Sequence, residues 1–417
     1  VRLIKAVKQV FKPTQQVLAL LEDFRLMVND CIRVGLRFEE EQHATPSMKK
    51  LSLLCYSQLK RYKVYSPYRL TAMSKAAGIL SARRKSIVRG FSTKSPYVSK
   101  PLLVSCYHIK IQAGMLRVPL GGGRFEYIPL NAHTMRTLSE AALRINSFTL
   151  TSASLSIAFS KEAEPMVLTS TIGIDRNLSN LAVGNNERVT YYDMTRVVEI
   201  ADNTRSIVRS FKRDDVRTRQ LISSKYGKRR SERVRQIIHG VTKQIVQGAK
   251  AKGQAIVFED IRGIRGLYRR GNGQGRFFRG RMNSWPFHEV KRQVEYKAAW
   301  EGVPVVTLSR KDTKGTTMDC ARCGERLQSP ARGDLGHFRQ LWCKNCGRWM
   351  DRDLVAVLNI SHRGRVRFAR SSTEGEAGEA VRGNAEHDGE PLILRVDASK
   401  LQREKRCSRT NLTALTS

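Results

Sequence analysis

Two short motifs constrain this chain more than any other feature: Cys320-Ala-Arg-Cys323-Gly324 and Cys343-Lys-Asn-Cys346-Gly347. Nineteen residues lie between the pairs. Four thiolates at such spacing close a tetrahedral zinc site, each turn aiming two sulfurs at one point. The glycine after each second cysteine suits that turn. No coordination position is left open, so such a zinc is structural, and its loss should unfold the segment around it. The other cysteines, Cys31, Cys55, Cys106 and Cys407, are scattered. In a reducing compartment scattered cysteines are small buried hydrophobes, while CxxC pairs hold metal.

Charge narrows the partners. Lys and Arg number 75 against 37 Asp and Glu, a formal surplus of +38 over 417 residues. So large a surplus repels itself in a compact fold unless a polyanion neutralises it, and nucleic acid is the first candidate. An anionic membrane comes second, but no run of 18 or more apolar residues is present to span one. The opening VRLIKAVKQVFKPTQQ is too polar for a signal sequence. The expected location is the cytoplasm or nucleoid. With 41% hydrophobic residues the chain has material for a core, and its length allows two or three domains.

The hydrophobic period changes along the chain. Residues 1–13 read as a strand. From 14 to about 90 the period is helical, with Val17, Leu20, Leu21, Phe24 and Val28 on one stripe. A second helix is expected after the capping pair Ser66-Pro67. It ends in Arg83, Arg84 and Lys85, either a solvated helix end or a nucleic-acid contact. From 96 to 160 the pattern alternates as in strands, with a hairpin at the GGG of 121–123, suggesting a small barrel or sheet that includes the first strand. Residues 166–192 read as three strands with Gly184-Asn-Asn-Glu187 as a hairpin loop. Residues 204–250 form a basic helical region, broken near Gly227, whose stripe of Val234, Ile237, Ile238, Val241, Ile245 and Val246 is core. The opposite face, with Arg229 and Arg230, is free for nucleic acid. Gln254–Ile261 is a buried strand, followed by a Gly/Arg-rich loop carrying Arg269 and Arg270. A helix at 286–300 and a buried strand at 303–309 come next. Residues 366–417 carry nine basic against eight acidic residues. Their low-complexity composition reads as disorder.

Two carboxylates close apolar strands: Asp175 after Thr-Ser-Thr-Ile-Gly-Ile, and Glu259 after Ala-Ile-Val-Phe. Either alone reads as a turn or capping residue. Adjacent strands, however, would bring both to one sheet edge, where they repel unless a cation sits between them. A third carboxylate at a helix start would complete a magnesium site of oxygen ligands. Trp349–Ile360 offers two, Asp351 and Asp353.

Here the sequence resembles a known family. GIDRNLSNLAV, IVFEDI, the two CxxCG motifs and DRDLVAVLNI follow the order and spacing of the TnpB (OrfB) transposon-encoded proteins, ancestral to type V CRISPR effectors. SWPFHEVKRQVEYKAAWEGVPVV is similar to the family's link between the second acidic motif and the zinc insert. The resemblance is close over about 165–365 and looser before. It implies a multidomain α+β and α/β protein. A wedge β-barrel (1–13 and 96–165) would carry an inserted helical recognition domain (14–95). A RuvC-like nuclease domain of RNase H fold (166–311 and 351–365) would carry a zinc-ribbon, target-nucleic-acid-binding insert (312–350). The family's catalytic acids map onto Asp175, Glu259 and Asp353, which would bind two magnesium ions, with Asp175 bridging them. Asp351 is then the helix cap or a supporting neighbour. The family's D-x-N-A-A-x-N-I motif departs here: Val355 replaces the first Asn and Val357 the second Ala, while Asn359-Ile360 are kept.

The implied activity is RNA-guided DNA cleavage beside a short adjacent motif by magnesium-dependent phosphodiester hydrolysis. The implied partners are a guide RNA from the transposon end and target double-stranded DNA, with a monomer or weak dimer on one RNA. Three rivals stand beside this reading: a nuclease-inactive, guide-dependent repressor; a small type V CRISPR effector; and a non-enzymatic zinc-ribbon RNA-binding protein. The last leaves the strand-end acids unexplained.

Overall fold

The computed structural model describes residues 2–140, 142–164, 166–211, 215–269, 271, 273–331, 336–337, 339–371 and 390–402. The chain divides into two units, Val1–Glu162 and Ala163–Ser417.

In the first unit, β1 (Arg2–Val10) leads into three helices: α1 (Gln15–Gln42), α2 (Met48–Cys55) and α3 (Pro67–Val88). Thr14 caps α1 by accepting the Val17 N–H, and the apolar stripe read from the sequence is buried along it. Pro67 opens α3, but Ser66 makes no side-chain cap. Its backbone is already helical, so its hydroxyl is not placed to accept from the first turn. The strands β2 (Leu102–Ser105), β3 (Lys110–Gln112), β4 (Met115–Gly121) and β5 (Arg124–Pro129) follow. Then come α4 (Ala132–Leu138), β6 (Arg144–Thr151) and β7 (Ser154–Glu162). β1 returns to pair antiparallel with β7 in a sheet of order β1-β7-β6-β2. β3, β4 and β5 form a separate sheet, so the described strands of this unit fall into two sheets. Pro119 within β4 and Pro129 at the end of β5 lack the N–H that further pairing would use.

The second unit is built on one six-stranded sheet. β8 (Ser170–Arg176), β9 (Asn180–Gly184) and β10 (Arg188–Asp193) form a meander, with the Asn185 side chain bracing the 184–187 loop. α5 (Thr195–Ser210) and α6 (Val216–Ala251) cross to β11 (Gln254–Phe258), which lies parallel to β8. α7 (Arg276–Ser284) and α8 (Phe287–Glu301) lead to β12 (Val305–Thr307), parallel to β11. After α9 (Arg310–Thr313) come the cysteine hairpin β13 (Gln340–Cys343) and β14 (Arg348–Asp351), then α10 (Arg352–Ser371) and β15 (Leu392–Asp397). The order is β12-β11-β8-β9-β10-β15.

Two expectations fail here. α6 runs unbroken through Gly227; one glycine in a helix costs only about 1 kcal/mol, less than its flanking helix formers supply. The stretch 366–417 is not all structureless either. α10 extends to Ser371, and β15 pairs in register with β10 from Arg188↔Leu392 to Asp193↔Asp397. The apolar run Leu392-Ile393-Leu394 was averaged away by the acidic stretch before it. Residues 372–389 and 403–417 lie outside the described residues.

Strand alternation sorts the sheet into two faces. Ile172, Ile174, Leu181, Val183, Ile256 and Phe258 meet the buried stripe of α6 and Val290, Val294 and Ala298 of α8. Ala182, Val189 and Tyr191 pack with Val357 of α10 on the other face. Val257 meets Ile360 there. α10 lies very close to β8. A Cβ at Gly173 would stand 2.4 Å from the Val357 carbonyl oxygen, so only glycine admits the helix. The Thr171 hydroxyl donates to the Ser361 carbonyl at 2.9 Å, and the Ser361 hydroxyl to that of Thr171 at 2.8 Å.

Candidate active site

The same alternation explains the acids. Asp175 shares the parity of Thr171 and Gly173 in β8, and Glu259 that of Val257 in β11, so both belong to the α10 face. Ile174 is paired with Phe258, which sets Asp175 and Glu259 side by side one residue later. Asp353 stands in the first turn of α10. All three line one cleft of about 950 Å³.

Asp351 ends β14, and its Oδ1 accepts the N–H groups of Asp353 at 3.0 Å and Leu354 at 2.9 Å. That is an N-cap, tied back to the sheet by the Tyr191 hydroxyl at 3.0 Å. The two aspartates therefore divide: Asp351 holds the helix start and Asp353 faces the cleft.

Each cleft acid has a polar partner. The buried Arg176 donates from Nε to Glu259 Oε1 at 2.9 Å, and to the carbonyls of Glu259 and Phe287 at 3.0 and 3.2 Å. Glu259 Oε2 is buried with no partner. Burial raises the Glu259 carboxyl and Arg176 opposes the rise. Asn177 donates to Asp175 at 2.7 Å. Even so, burial, then the charges of Glu259 and Asp353, push Asp175 up to about 8. Asp353 accepts from Asn180 at 3.2 Å and meets Arg339 at 2.7 and 2.5 Å through its two oxygens. Like charges gathered in a buried edge fit a bound cation, as does the unpartnered Glu259 oxygen. The acids are not drawn tight: among the described residues, only the four cysteines form a group of three or more potential ligands all within 4.8 Å.

That cysteine group fits zinc. Cys320 Sγ lies 3.8 Å from Cys346 Sγ, and Cys323 Sγ 3.5 Å from Cys343 Sγ. Zinc–sulfur bonds of ~2.3 Å in a tetrahedron give sulfur separations of about 3.8 Å. The backbone amide of Glu325 lowers the Cys323 thiol to about 6, favouring the thiolate a metal takes. Val355, the departure from the family motif, is buried against Cys320, Leu327, Leu341, Cys343 and Met350. It docks α10 onto the ribbon. Asn359 performs a similar service, donating to the carbonyls of Thr316 at 2.8 Å and Asp319 at 2.7 Å.

The basic residues singled out in the sequence are dispersed. Arg83 is held by Glu39 at 2.8 Å, a local ion pair; Arg84 and Lys85 are exposed on α3. In α6, Arg229 lies over the Tyr226 ring at 5.7 Å and Arg230 is half-buried. Arg269 is exposed, directly after Tyr268 of the cleft wall, and Arg270 lies outside the described residues. The cations that line the cleft are Arg176, Arg262, Arg310, Arg339 and Arg352. Sequence reading missed them. Arg176 carried one signal, an arginine directly after a strand-end aspartate.

These features define a mixed α/β protein with an acidic cleft and a zinc-ribbon-like cysteine cluster. Residues 287–360 match the family described as Cas12f1-like, TNB domain. The chain is 28% identical over 221 residues to TnpB-like protein MJ0751 of Methanocaldococcus jannaschii, a match spanning 50% of this chain and 73% of that protein. Its fold is similar to a chain of a cryo-EM Cas12f1-sgRNA-target DNA complex. The TM-score is 0.51 at 12% identity, covering 84% of this chain and 83% of that one. These similarities support reading the chain as a TnpB-family protein. No described helix is long and apolar enough to cross a membrane.

Proposed function

We propose that this protein is an RNA-guided DNA endonuclease of a transposon, cutting target DNA beside a short adjacent motif. The observation that carries the reading is the convergence of Asp175, Glu259 and Asp353 on one cleft from β8, β11 and α10. Residues 166–311 and 351–365 would be the RuvC-like nuclease domain of RNase H fold, with 312–350 as its target-binding insert. Residues 1–165 would supply the wedge and recognition parts that hold a guide RNA and DNA.

Two magnesium ions, when bound, would supply a water of lowered pKa and charge neutralisation at the leaving oxygen. Asp175, Glu259 and Asp353 would hold them. Arg176 fixes Glu259 through one oxygen and leaves the other without a protein partner. Asn177 and Asn180 orient Asp175 and Asp353. Arg262, Arg310, Arg339 and Arg352 offer donors to the phosphates of a strand lying in the cleft. Base pairing with the guide would carry the sequence specificity.

The test is cleavage of guide-matched DNA with magnesium by protein carrying its co-purified RNA. Asp353→Ala should lower the rate by orders of magnitude, each ~1.4 kcal/mol of lost transition-state stabilisation being about tenfold, with DNA binding kept. Asp351→Ala should keep cleavage and lose only about 0.5–2 kcal/mol of stability. If both variants cut as the unmutated protein does, this assignment of the site is wrong.

A further inference from the structure

The Gly/Arg-rich stretch after β11 has a face that the cleft does not use. Phe278 and Met282 of α7 line the cleft and, four residues apart, share one side of the helix. Arg276 and Gly280 share another side, together with Phe277. With Arg205 and Arg209 of α5 they line a separate cavity of about 90 Å³.

This second site is built. Asp202 accepts from Arg205 Nη1 at 2.9 Å and from Arg281 Nε at 2.8 Å, pinning α5 to α7. A Cβ at Gly280 would stand 3.3 Å from Cζ and Nη2 of Arg205. The missing side chain lets that guanidinium rest against the helix. Arg209 lies one turn along α5, and Arg276 one turn back along α7. Of the four guanidinium groups gathered here, Asp202 pairs with two, those of Arg205 and Arg281, and such a surplus of positive charge favours an anion. Beside it Phe277 is 72% exposed.

We propose that this cradle binds a phosphodiester of a single-stranded nucleic acid, with a neighbouring base stacked on Phe277. Guanidinium forks match phosphate oxygens, and an aromatic face stacks any base, so the site grips without reading sequence. α7, about 10 Å across, lends residues to both the cradle and the cleft. A strand leaving the cleft crosses that helix onto the arginines. The inference rests on the nucleic-acid reading above but not on cleavage.

The experiment uses full-length protein freed of RNA at high salt, with short fluorescein-labelled oligo-dT and oligo-U followed by fluorescence anisotropy. Arg209→Gln and Arg276→Gln should each weaken binding about three- to tenfold. Each should also flatten the dependence of log affinity on log salt by about 0.7 per lost contact. Phe277→Ala should weaken binding with the salt slope unchanged, and Phe277→Trp should restore it. Gly280→Val, which displaces the Arg205 guanidinium, should behave as an arginine loss. Arg217→Gln, at an exposed position of α6, is the control for charge alone. Stronger loss on oligo-dT or on oligo-U names the strand as DNA or RNA, and equal loss means the cradle takes both. If the cradle variants weaken binding no more than Arg217→Gln, the cradle is refuted. If the unmutated protein binds neither oligonucleotide with a steep salt dependence, the nucleic-acid reading itself falls.

Discussion

Replacing Arg176 with Met tests the architecture that brings β8 and β11 together. Arg176 and Glu259 are a buried ion pair, with side chains 2% and 7% exposed. The substitution keeps a long apolar stem but strands a carboxylate whose other oxygen already lacks a partner. It also removes donors from the carbonyls of Glu259 and Phe287. Breaking a buried pair from one side costs about 3–5 kcal/mol. Glu259→Gln keeps an acceptor for Arg176 and should cost only about 1–2 kcal/mol. The double variant Arg176→Met/Glu259→Leu should fall well below the sum, since an apolar replacement of both partners is often near neutral. The pH dependence has a definite sign. Burial raises the Glu259 carboxyl in the fold, so its ionised form is penalised above its unfolded pKa. Removing Arg176 enlarges that penalty. The deficit of Arg176→Met should therefore be larger at pH 8 than at pH 5, where the carboxyl takes up a proton. Urea unfolding followed by tryptophan fluorescence measures this directly, because Trp285, Trp300, Trp342 and Trp349 all lie in the second unit. A deficit below about 1 kcal/mol, or one that grows as pH falls, would refute the reasoning.

Three further outcomes are expected. Gly173→Ala should lower the melting temperature of the second unit through about 1–3 kcal/mol of overpacking, because α10 has no room to retreat from β8; unchanged melting would contradict the close approach. Val355→Asn, which restores the family's usual residue, should destabilise by about 1–3 kcal/mol by burying an amide among ribbon side chains; a stabilised variant in thermal melts would show that the family's polar contact can still form here. Cys343→Ser should drop the zinc content from one per chain toward zero in metal analysis and open residues 312–350 to amide exchange. Finding well under one zinc per chain in the unmutated protein would end the structural-zinc reading.

The elements that carry a strong period were legible in the sequence. The stripes of α1 and α6, the strand-end acids and the paired cysteines all announce themselves within one short window. What escaped was set by distant partners. Nothing near Arg339 says that its guanidinium meets Asp353, because that contact depends on how the ribbon hairpin re-enters α10. Val355 stands where the family motif has its first Asn, and only its packing against Cys320 and Cys343 shows it to be a docking residue. β15 was hidden because composition averages over a window wider than a strand of six residues. Ser66 failed as a cap because capping depends on its backbone angles, which residue type does not dictate.

The wide spacing of the acids has a consequence in time. Asp353 follows Asp175 by 178 residues. At synthesis rates of about 5–20 residues per second, the ribosome takes roughly 10–35 s to pass from one to the other. Through that interval the chain can form the β8–β9–β10 meander and expose its first acid, yet the cleft does not exist. It closes only when α10 settles on Gly173, after the cysteine ribbon has been made. A nascent or truncated chain therefore lacks the cleft by topology, and the cleft appears together with the ribbon beside it.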